Sequence, residues 1–381
     1  MVQKKLKAID LFSGAGGLSL GLSRAGLEVV GAVDFSTSAL GSYRRNFSHV
    51  ALEADISKLS PAELCARLSF YDELDLLAGG PPCQGFSIQR IGEDKDDRND
   101  LILEFARFVK GLRPKVFVME NVTGLLGRRG IQSFIAFKLK VIRCGYQVRH
   151  TVIDAADFGV PQHRKRVIVF GWRNDLPSNL PFPEPTHVEG NHVTVRDAIG
   201  DLPSPSFKDA VGPGADQLHF RTKLSQLNIE RLSHIRPGKG FEDLPNHLRV
   251  NCHKSGAERI GHRYVYGRLS FDDPSGTITA RFDSFTRGKF AHPVEDRNIT
   301  LREGARLQSF PDDFVFLGTQ EEIASQIGNA VPPQIAFRIG VEVRDYLNKA
   351  HAIKSAETSL SFGEAVPDAN INMVDQPTPI I

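Results

Sequence analysis

The pattern that most constrains this chain is a repeated passage from a short apolar run to an amphipathic helix, sustained from residue 6 to residue 172. Runs at 6–12, 28–33, 50–54, 74–78, 115–119, 147–153 and 166–172 have the length and composition of strands, and most are separated by helical periodicity. Strands that alternate with helices are covered on both faces, so this order predicts an α/β fold built on a parallel, doubly wound sheet. Ligands of such sheets bind beyond the carboxyl ends of the strands. The turns at those ends therefore carry the functional reading.

The first strand runs into Ser13-Gly14-Ala15-Gly16-Gly17-Leu18-Ser19, a glycine-rich turn that opens a helix ending near Arg24. Glycines let the backbone approach a ligand, and the first turn of a helix offers it free N–H groups. Asp34 closes the second strand 20 residues past Gly14, where a carboxylate can grip a pair of ribose hydroxyls. Ser19 stands where the dinucleotide fingerprint has its third glycine, which counts against a nicotinamide cofactor. Asp55 and Ile56 end the third strand. The acid can accept from an adenine amino group while the isoleucine packs on the ring, or it can simply cap the helix before Pro61.

The fourth strand ends in Gly79-Gly80-Pro81-Pro82-Cys83-Gln84-Gly85-Phe86-Ser87. Each proline fixes its own φ and Pro82 restricts Pro81 as well, so the backbone is stiff just ahead of Cys83. An isolated cysteine is read first as a small apolar packing residue. At the carboxyl end of a strand it is also well placed for chemistry. The charged residues 89–100 that follow read as a lid or as exposed surface. Glu120-Asn121-Val122 ends the fifth strand, and Gln162-His163-Arg164-Lys165-Arg166 leads into the last. By themselves, Glu120 could bind nearby N–H groups and the arginines could begin a solvated strand.

Bulk properties bound the class. The net charge of +2 and pI near 8.3 do not by themselves announce a polyanion binder, but residues 221–268 hold ten Lys/Arg against four Asp/Glu. That surplus suits phosphate contacts, and a solvated basic face nearly as well. Four cysteines with no CxxC pair argue against zinc and against a disulfide framework, so no metal is expected. Neither a signal-peptide core nor a membrane-length apolar run is present, which makes the cytoplasm the default. Proline becomes frequent after residue 174, and 174–321 read as a second, irregular domain with strand-like pieces at 264–269 and 277–282. Residues 322–350 are expected to return to the first domain (1–173) in a helix ending near Leu347, and 351–381 to be a disordered tail.

In their order, these blocks resemble the DNA cytosine-5 methyltransferase family, of the bacterial and phage restriction–modification type, across residues 9–347. The resemblance rests on Asp10-Leu11-Phe12-Ser13-Gly14-Ala15-Gly16-Gly17, the Pro-Pro-Cys-Gln turn, Glu120-Asn121-Val122 and Gln162-His163-Arg164-Lys165-Arg166. It also rests on Leu301-Arg302-Glu303-Gly304-Ala305-Arg306-Leu307-Gln308-Ser309-Phe310-Pro311-Asp312 and Gln326-Ile327-Gly328-Asn329. It implies a Rossmann-like sheet that uses S-adenosylmethionine, yields S-adenosylhomocysteine, and carries a smaller target-recognition domain. The implied reaction is methyl transfer to carbon 5 of a cytosine flipped out of a specific double-stranded DNA sequence. Cys83 would add at carbon 6, Glu120 would assist at N3, and Arg164 would hold the oxygen at position 2, supported by Arg166 and Gln162. Phe12, Ala15 and Gly17 would line the methionine side of the cofactor, with Asp34 on the ribose and Phe35 on the adenine face. Asp55 and Ile56 would meet the adenine; Gly80, Pro82, Leu101, Asn329 and Ala330 complete the pocket. Where Asp34 stands the family usually has glutamate, a departure that bears on affinity. Ser87, Gln89 and Arg90 are expected to enter the duplex. The implied partners are double-stranded DNA and a cognate restriction endonuclease or other defence component, with the chain a monomer on DNA and nucleoid-associated.

Three other readings compete. Cytosine-5 methylation of transfer RNA usually brings Cys-Phe-Thr after the Pro-Pro-Cys cysteine, whereas Gln84 follows Cys83 here. A nicotinamide oxidoreductase would need the full glycine fingerprint. A non-catalytic DNA-binding relative usually lacks the cysteine or the glutamate, and this chain has both.

Overall fold

The computed structural model describes residues 5–82, 101–177, 179–211, 214, 216–254 and 264–363. Its first part runs β1 (Lys7–Leu11), α1 (Gly17–Arg24), β2 (Glu28–Asp34), α2 (Thr37–Asn46), β3 (Val50–Glu53), α3 (Pro61–Leu68) and β4 (Leu76–Gly79). Then come α4 (Leu101–Leu112), β5 (Val116–Val122), α5 (Ile131–Arg143), β6 (Tyr146–Asp154) and β7 (Lys165–Arg173). These strands form one seven-stranded sheet in the order β3-β2-β1-β4-β5-β7-β6. The chain leaves β1 toward β2 and later returns on its other side at β4, which makes the end of β1 the switch point where an α/β sheet opens a crevice.

The expectation of a wholly parallel sheet is corrected by β7, which runs antiparallel to both β5 and β6. A parallel crossover needs a dozen residues or more, usually a helix. Between Asp154 and Lys165 the chain holds only one 3₁₀ turn, Ala155–Phe158, so it reverses and lays β7 between β5 and β6.

Alternation along the strands divides the core into two layers. Ala8, Val116, Val118, Ile168 and Phe170 face one side, beneath α1 and the C-terminal helix, while Ile9, Leu11, Phe117, Met119 and Val169 face α3, α4 and α5.

The second part comprises α6 (Val195–Ile199), β8 (Ser206–Phe207), β9 (Phe220–Arg221), α7 (Gln226–His234), α8 (Asn251–Lys254), β10 (Gly267–Arg268) and β11 (Lys289–Ala291). It is followed by α9 (Leu301–Leu307), α10 (Gln320–Asn329) and α11 (Pro333–Gly363). No strand of the second part exceeds three residues among the described residues, so backbone carbonyls find partners in arginine side chains instead. Arg268, 3% exposed, donates to the carbonyls of Leu232, Ile235, His292 and Glu295. Arg297 donates two hydrogen bonds to the Glu303 carboxylate, both at 2.8 Å. The strand expected at 277–282 does not form; the amide of Ile278 donates to a side chain, Gln162 Oε1, at 2.8 Å. α11 continues to Gly363, beyond the expected end near Leu347, and no proline interrupts it after Pro333.

α11 lies directly on α1, and Gly21 makes that approach possible. A methyl group on Gly21 would lie 2.3 Å from both Ala336 Cβ and the Pro333 carbonyl oxygen. Two of the three nearest atoms are backbone and cannot swing aside. Gly21→Ala is therefore expected to lower stability by roughly 1–3 kcal/mol, despite alanine's better helix propensity, as read by urea denaturation.

Candidate active site

The site is built at the switch point. The chain leaves β1 with Phe12 at φ 61°. Asp34, at the end of β2, turns both carboxylate oxygens to neighbouring backbone: Oδ2 accepts from Gly14 N and Oδ1 from Ser36 N, each at 2.8 Å. Burial outweighs these bonds and raises the Asp34 pKa. A side chain at Gly14 (φ 53°) would meet nothing within 4 Å, whereas one at Gly17 would strike the Val331 carbonyl oxygen at 2.4 Å. Gly14 thus faces open space, and Gly17 admits the returning C-terminal segment. Ala15 is buried against the apolar cluster of the second part. Ser13 Oγ and Asp10 Oδ1, around the same loop, are buried with no partner among the described residues.

β5 and β7 supply the next wall. Val122 lies opposite Arg166, so Glu120 and Arg166 share one face as a diagonal pair. Arg166 Nε lies 2.9 Å from Glu120 Oε1, and both side chains are largely buried. Asn121, on the other face, donates to the Pro81 carbonyl at 3.1 Å and fastens the turn after β4 to the end of β5. A methyl group on Gly80 would lie 3.6 Å from Glu120 Oε2 and 3.8 Å from Val331 Cγ2. The Glu120 carboxylate, the start of the Pro-Pro turn and the C-terminal segment therefore meet.

Gln162 and Arg164 continue the two-residue period of Arg166, but both are internal. Arg164 donates Nη1 to the Ile278 carbonyl at 2.9 Å and Nη2 to the carbonyls of Gly328 and Ala330 at 3.0 and 3.1 Å. Burial and the neighbouring Arg166 lower its pKa to about 9, against the pull of Glu120. Gln162 donates to Gln308 Oε1 at 2.8 Å and to the Leu307 carbonyl at 3.2 Å.

Of the remaining expected residues, Phe35 is 72% exposed just past β2, and Ile56 is buried in the core. Asp55 is exposed, its carboxyl held below the usual range by the Ser57 hydroxyl and N–H. Half-buried Leu101 opens α4. Asn329 is exposed and donates to Ser325 Oγ at 3.1 Å, while Ala330 Cβ lies 3.3 Å from the position a Gly17 Cβ would take. Pro82 is half-buried; Cys83, Ser87, Gln89 and Arg90 lie outside the described residues. Asp10 has no assigned role among the expected site residues, although a carboxylate between Ile9 and Leu11 in a strand signals a buried polar group. The basic surplus of 221–268 is partly internal, since Arg268 is buried, and partly offset at the surface, where Arg236 is paired with Asp243 at 2.7 Å.

The sequence of the C-5 cytosine-specific DNA methylase family matches residues 6–345, nearly the whole described fold. The chain belongs to that family. Among similar methylases, a Type II methyltransferase of Haemophilus parahaemolyticus, M1.HphI, is 39% identical over 345 residues, covering 89% of this chain and 86% of the relative. M.NgoFVII of Neisseria gonorrhoeae is 39% identical over 87% and 84% of the two chains. A candidate DNA modification methyltransferase encoded within an Escherichia coli prophage has a crystal structure with TM-score 0.71 and 28% identity, covering 90% of this chain and all of that one. This methylase is thus an enzyme of the DNA (cytosine-5)-methyltransferase class, with DNA as substrate. Membership implies S-adenosylmethionine as methyl donor, and the site fits it. Orphaned polar atoms at Asp10 and Ser13 and open space at Gly14 lie at the end of β1, and the bare ring of Phe35 lies at the adjoining end of β2. Among the described residues, no helix is long and apolar enough to cross a membrane.

Two outcomes follow for the methylase. Arg164→Met removes a donor from the carbonyls of Ile278, Gly328 and Ala330, of which only Gly328 keeps another, Gln308 Nε2 at 3.4 Å. It is expected to cost about 3–5 kcal/mol in urea denaturation, whereas Arg166→Met, on the Glu120 side, costs clearly less. Burial raises the Asp10 pKa from 3.8 to about 7, so folding holds a proton there that the unfolded chain releases. That contribution is complete below about pH 3.8 and lost as pH rises through 7; in Asp10→Asn, stability measured between these limits should change less with pH than in the native chain.

Proposed function

We propose that this methylase flips a cytosine out of a specific double-stranded DNA sequence and methylates it through a covalent bond from Cys83. The observation that carries the reading is the Glu120 carboxylate, paired with Arg166 beside Gly80 at the start of the turn that leads to Cys83. Carbon 5 of cytosine is too weakly nucleophilic to attack a methyl sulfonium directly. The Cys83 thiolate adds at carbon 6, and the displaced electron pair moves toward carbon 5. Glu120 delivers a proton or strong hydrogen bond to N3, which lowers the cost of loading the ring with electrons. S-adenosylmethionine, when bound, supplies the activated methyl group. Loss of the carbon-5 proton then expels Cys83 and restores the aromatic ring.

The role first expected of Arg164 passes to Arg166. Arg164 spends both outer nitrogens on backbone carbonyls, which supports a positioning role for it and for Gln162. Arg166, ion-paired with Glu120, is the guanidinium left to hold the oxygen at position 2. Asp34 and Phe35 would hold the ribose and adenine, with Phe12, Asp55, Ile56, Leu101 and Asn329 around them. Ser87, Gln89 and Arg90 would enter the duplex, and residues 174–321 would read the target sequence. The Type II names of the relatives support a cognate restriction endonuclease as partner, with the methylase a monomer on DNA in the nucleoid.

DNA containing 5-fluorocytosine cannot lose a proton from carbon 5, so it should become covalently bound to the native chain but not to Cys83→Ala. Labelled S-adenosylmethionine should mark DNA and not RNA in a mixture. Label in RNA alone, or trapping that survives removal of the Cys83 thiol, overturns the reading. Glu120→Gln should slow methyl transfer by about 10²–10⁴-fold while S-adenosylhomocysteine affinity changes little.

A further inference from the structure

The glycine loop is closed at its base by a bond that the reaction just described does not use. Ser19 Oγ in α1 donates to Asp10 Oδ2 in β1 at 2.6 Å, so the two ends of the loop are joined. Ser19 Oγ lies 2.7 Å from the Tyr43 hydroxyl in α2, and that hydroxyl lies 2.6 Å from His49 Nε2. Asp10, Ser19 and Tyr43 are fully buried, and His49 is half-buried at the far end.

Each hydroxyl in this row has a single hydrogen, which gives the chain one direction at a time. With Asp10 ionised, the Ser19 hydrogen goes to Asp10, the Tyr43 hydrogen goes to Ser19, and His49 must present Nε2–H to Tyr43. With Asp10 protonated on Oδ2, all three bonds reverse: Asp10 donates to Ser19, Ser19 to Tyr43, and Tyr43 to a bare Nε2. The proton of the neutral ring then sits on Nδ1. The charge beneath the loop and the tautomer of a ring near the surface are thus two readings of one state.

We propose that Ser19, Tyr43 and His49 are positioning residues for the cofactor, a reversible hydrogen-bond chain that holds Asp10 beneath the glycine loop and couples its charge to the ring of His49. The proposal rests on the cofactor occupying that loop. S-Adenosylmethionine carries a sulfonium and an ammonium against one carboxylate, and a net cation favours the ionised carboxylate. Asp10 Oδ1, buried and without a partner among the described residues, remains to accept a hydrogen bond. S-Adenosylhomocysteine lacks the sulfonium charge and has less hold on that state. One proton leaves Asp10 as the cationic ligand binds, and the chain passes the reversal to His49.

The surroundings permit both states near neutrality. Burial raises Asp10 to about 7, Ser19 opposes that rise, and Asp34 of β2 adds to it. Ala32 of β2 and Ala78 of β4 lie beside Asp10 in the sheet and bring no charge. Burial and the Asp10 charge raise the Tyr43 phenol, so it keeps its proton, and burial lowers His49 from its ordinary value, which favours the neutral ring.

The test uses the full chain with ¹⁵N-labelled histidine, the His49 signals being assigned by their loss in His49→Asn. Without ligand, raising the pH through 7 should move the His49 proton from Nδ1 to Nε2. At pH 6, added S-adenosylmethionine should drive the same change, and S-adenosylhomocysteine less of it. Calorimetric affinity for S-adenosylmethionine should tighten up to tenfold per pH unit below 7 and lose that slope in Asp10→Asn. In Tyr43→Phe the ligand should still bind while the His49 ring no longer responds to it; Ser19→Ala gives the same readout should Tyr43→Phe fold poorly. A His49 ring that ignores ligand in the native chain, or follows it equally in both variants, sinks the proposal alone. Absence of S-adenosylmethionine binding at every pH sinks the cofactor reading and this proposal with it.

Discussion

A single internal guanidinium holds the working edge of this enzyme together. The last carbonyls of a helix have no partners within it, and the end of α10 leaves Gly328 and Ala330 in that position. Arg164 donates to both and to Ile278, so the sheet, the second part and the returning segment share one cation. A charge so deeply buried is expensive unless its donors are used, and a positive group at a helix C-terminus is favourably placed. Gln308 extends the arrangement, donating to the Ile327 carbonyl at 2.6 Å while accepting from Gln162. Glu120 and Arg166 can occupy the cleft because the residues behind them are fixed.

The second part applies the same solution repeatedly. With few ladder bonds of its own, it satisfies carbonyls through Arg231, Arg249 and Arg268. Arg306 joins Ala198, Asp201 and Asp312. Counting basic residues along the sequence therefore overstates the charge available to phosphates. Lys223 and Arg236 remain toward solvent, each beside an aspartate, while half-buried Arg221 stacks 4.1 Å over the ring of Phe207.

Much of this is legible in the sequence. Strand positions, the glycine loop and Glu120 at the end of β5 follow from periodicity and from the residues that stop it. The direction of β7 was not legible, because an apolar run reads alike in either sense and only the short connection from β6 decides it. The division of labour between Arg164 and Arg166 was equally hidden. Two arginines at the same spacing differ only in what lies over them, and those carbonyls come from residues more than 100 positions away in the chain. Asp10 carries no role in the sequence for the opposite reason: its neighbours there look like core, while its partners, Ser19 and beyond it Tyr43 and His49, come together only in the fold.

The closeness of α11 to α1 also sets an order of events at the ribosome. Roughly the first 300 residues emerge before the layer that covers Leu18 and Leu22 exists, and the carbonyls that occupy Arg164 are translated late as well. Such distant pairings make assembly slow relative to local folding. The nascent protein therefore carries its glycine loop half-covered through most of its synthesis, and the finished fold arrives only when α11 packs back against α1.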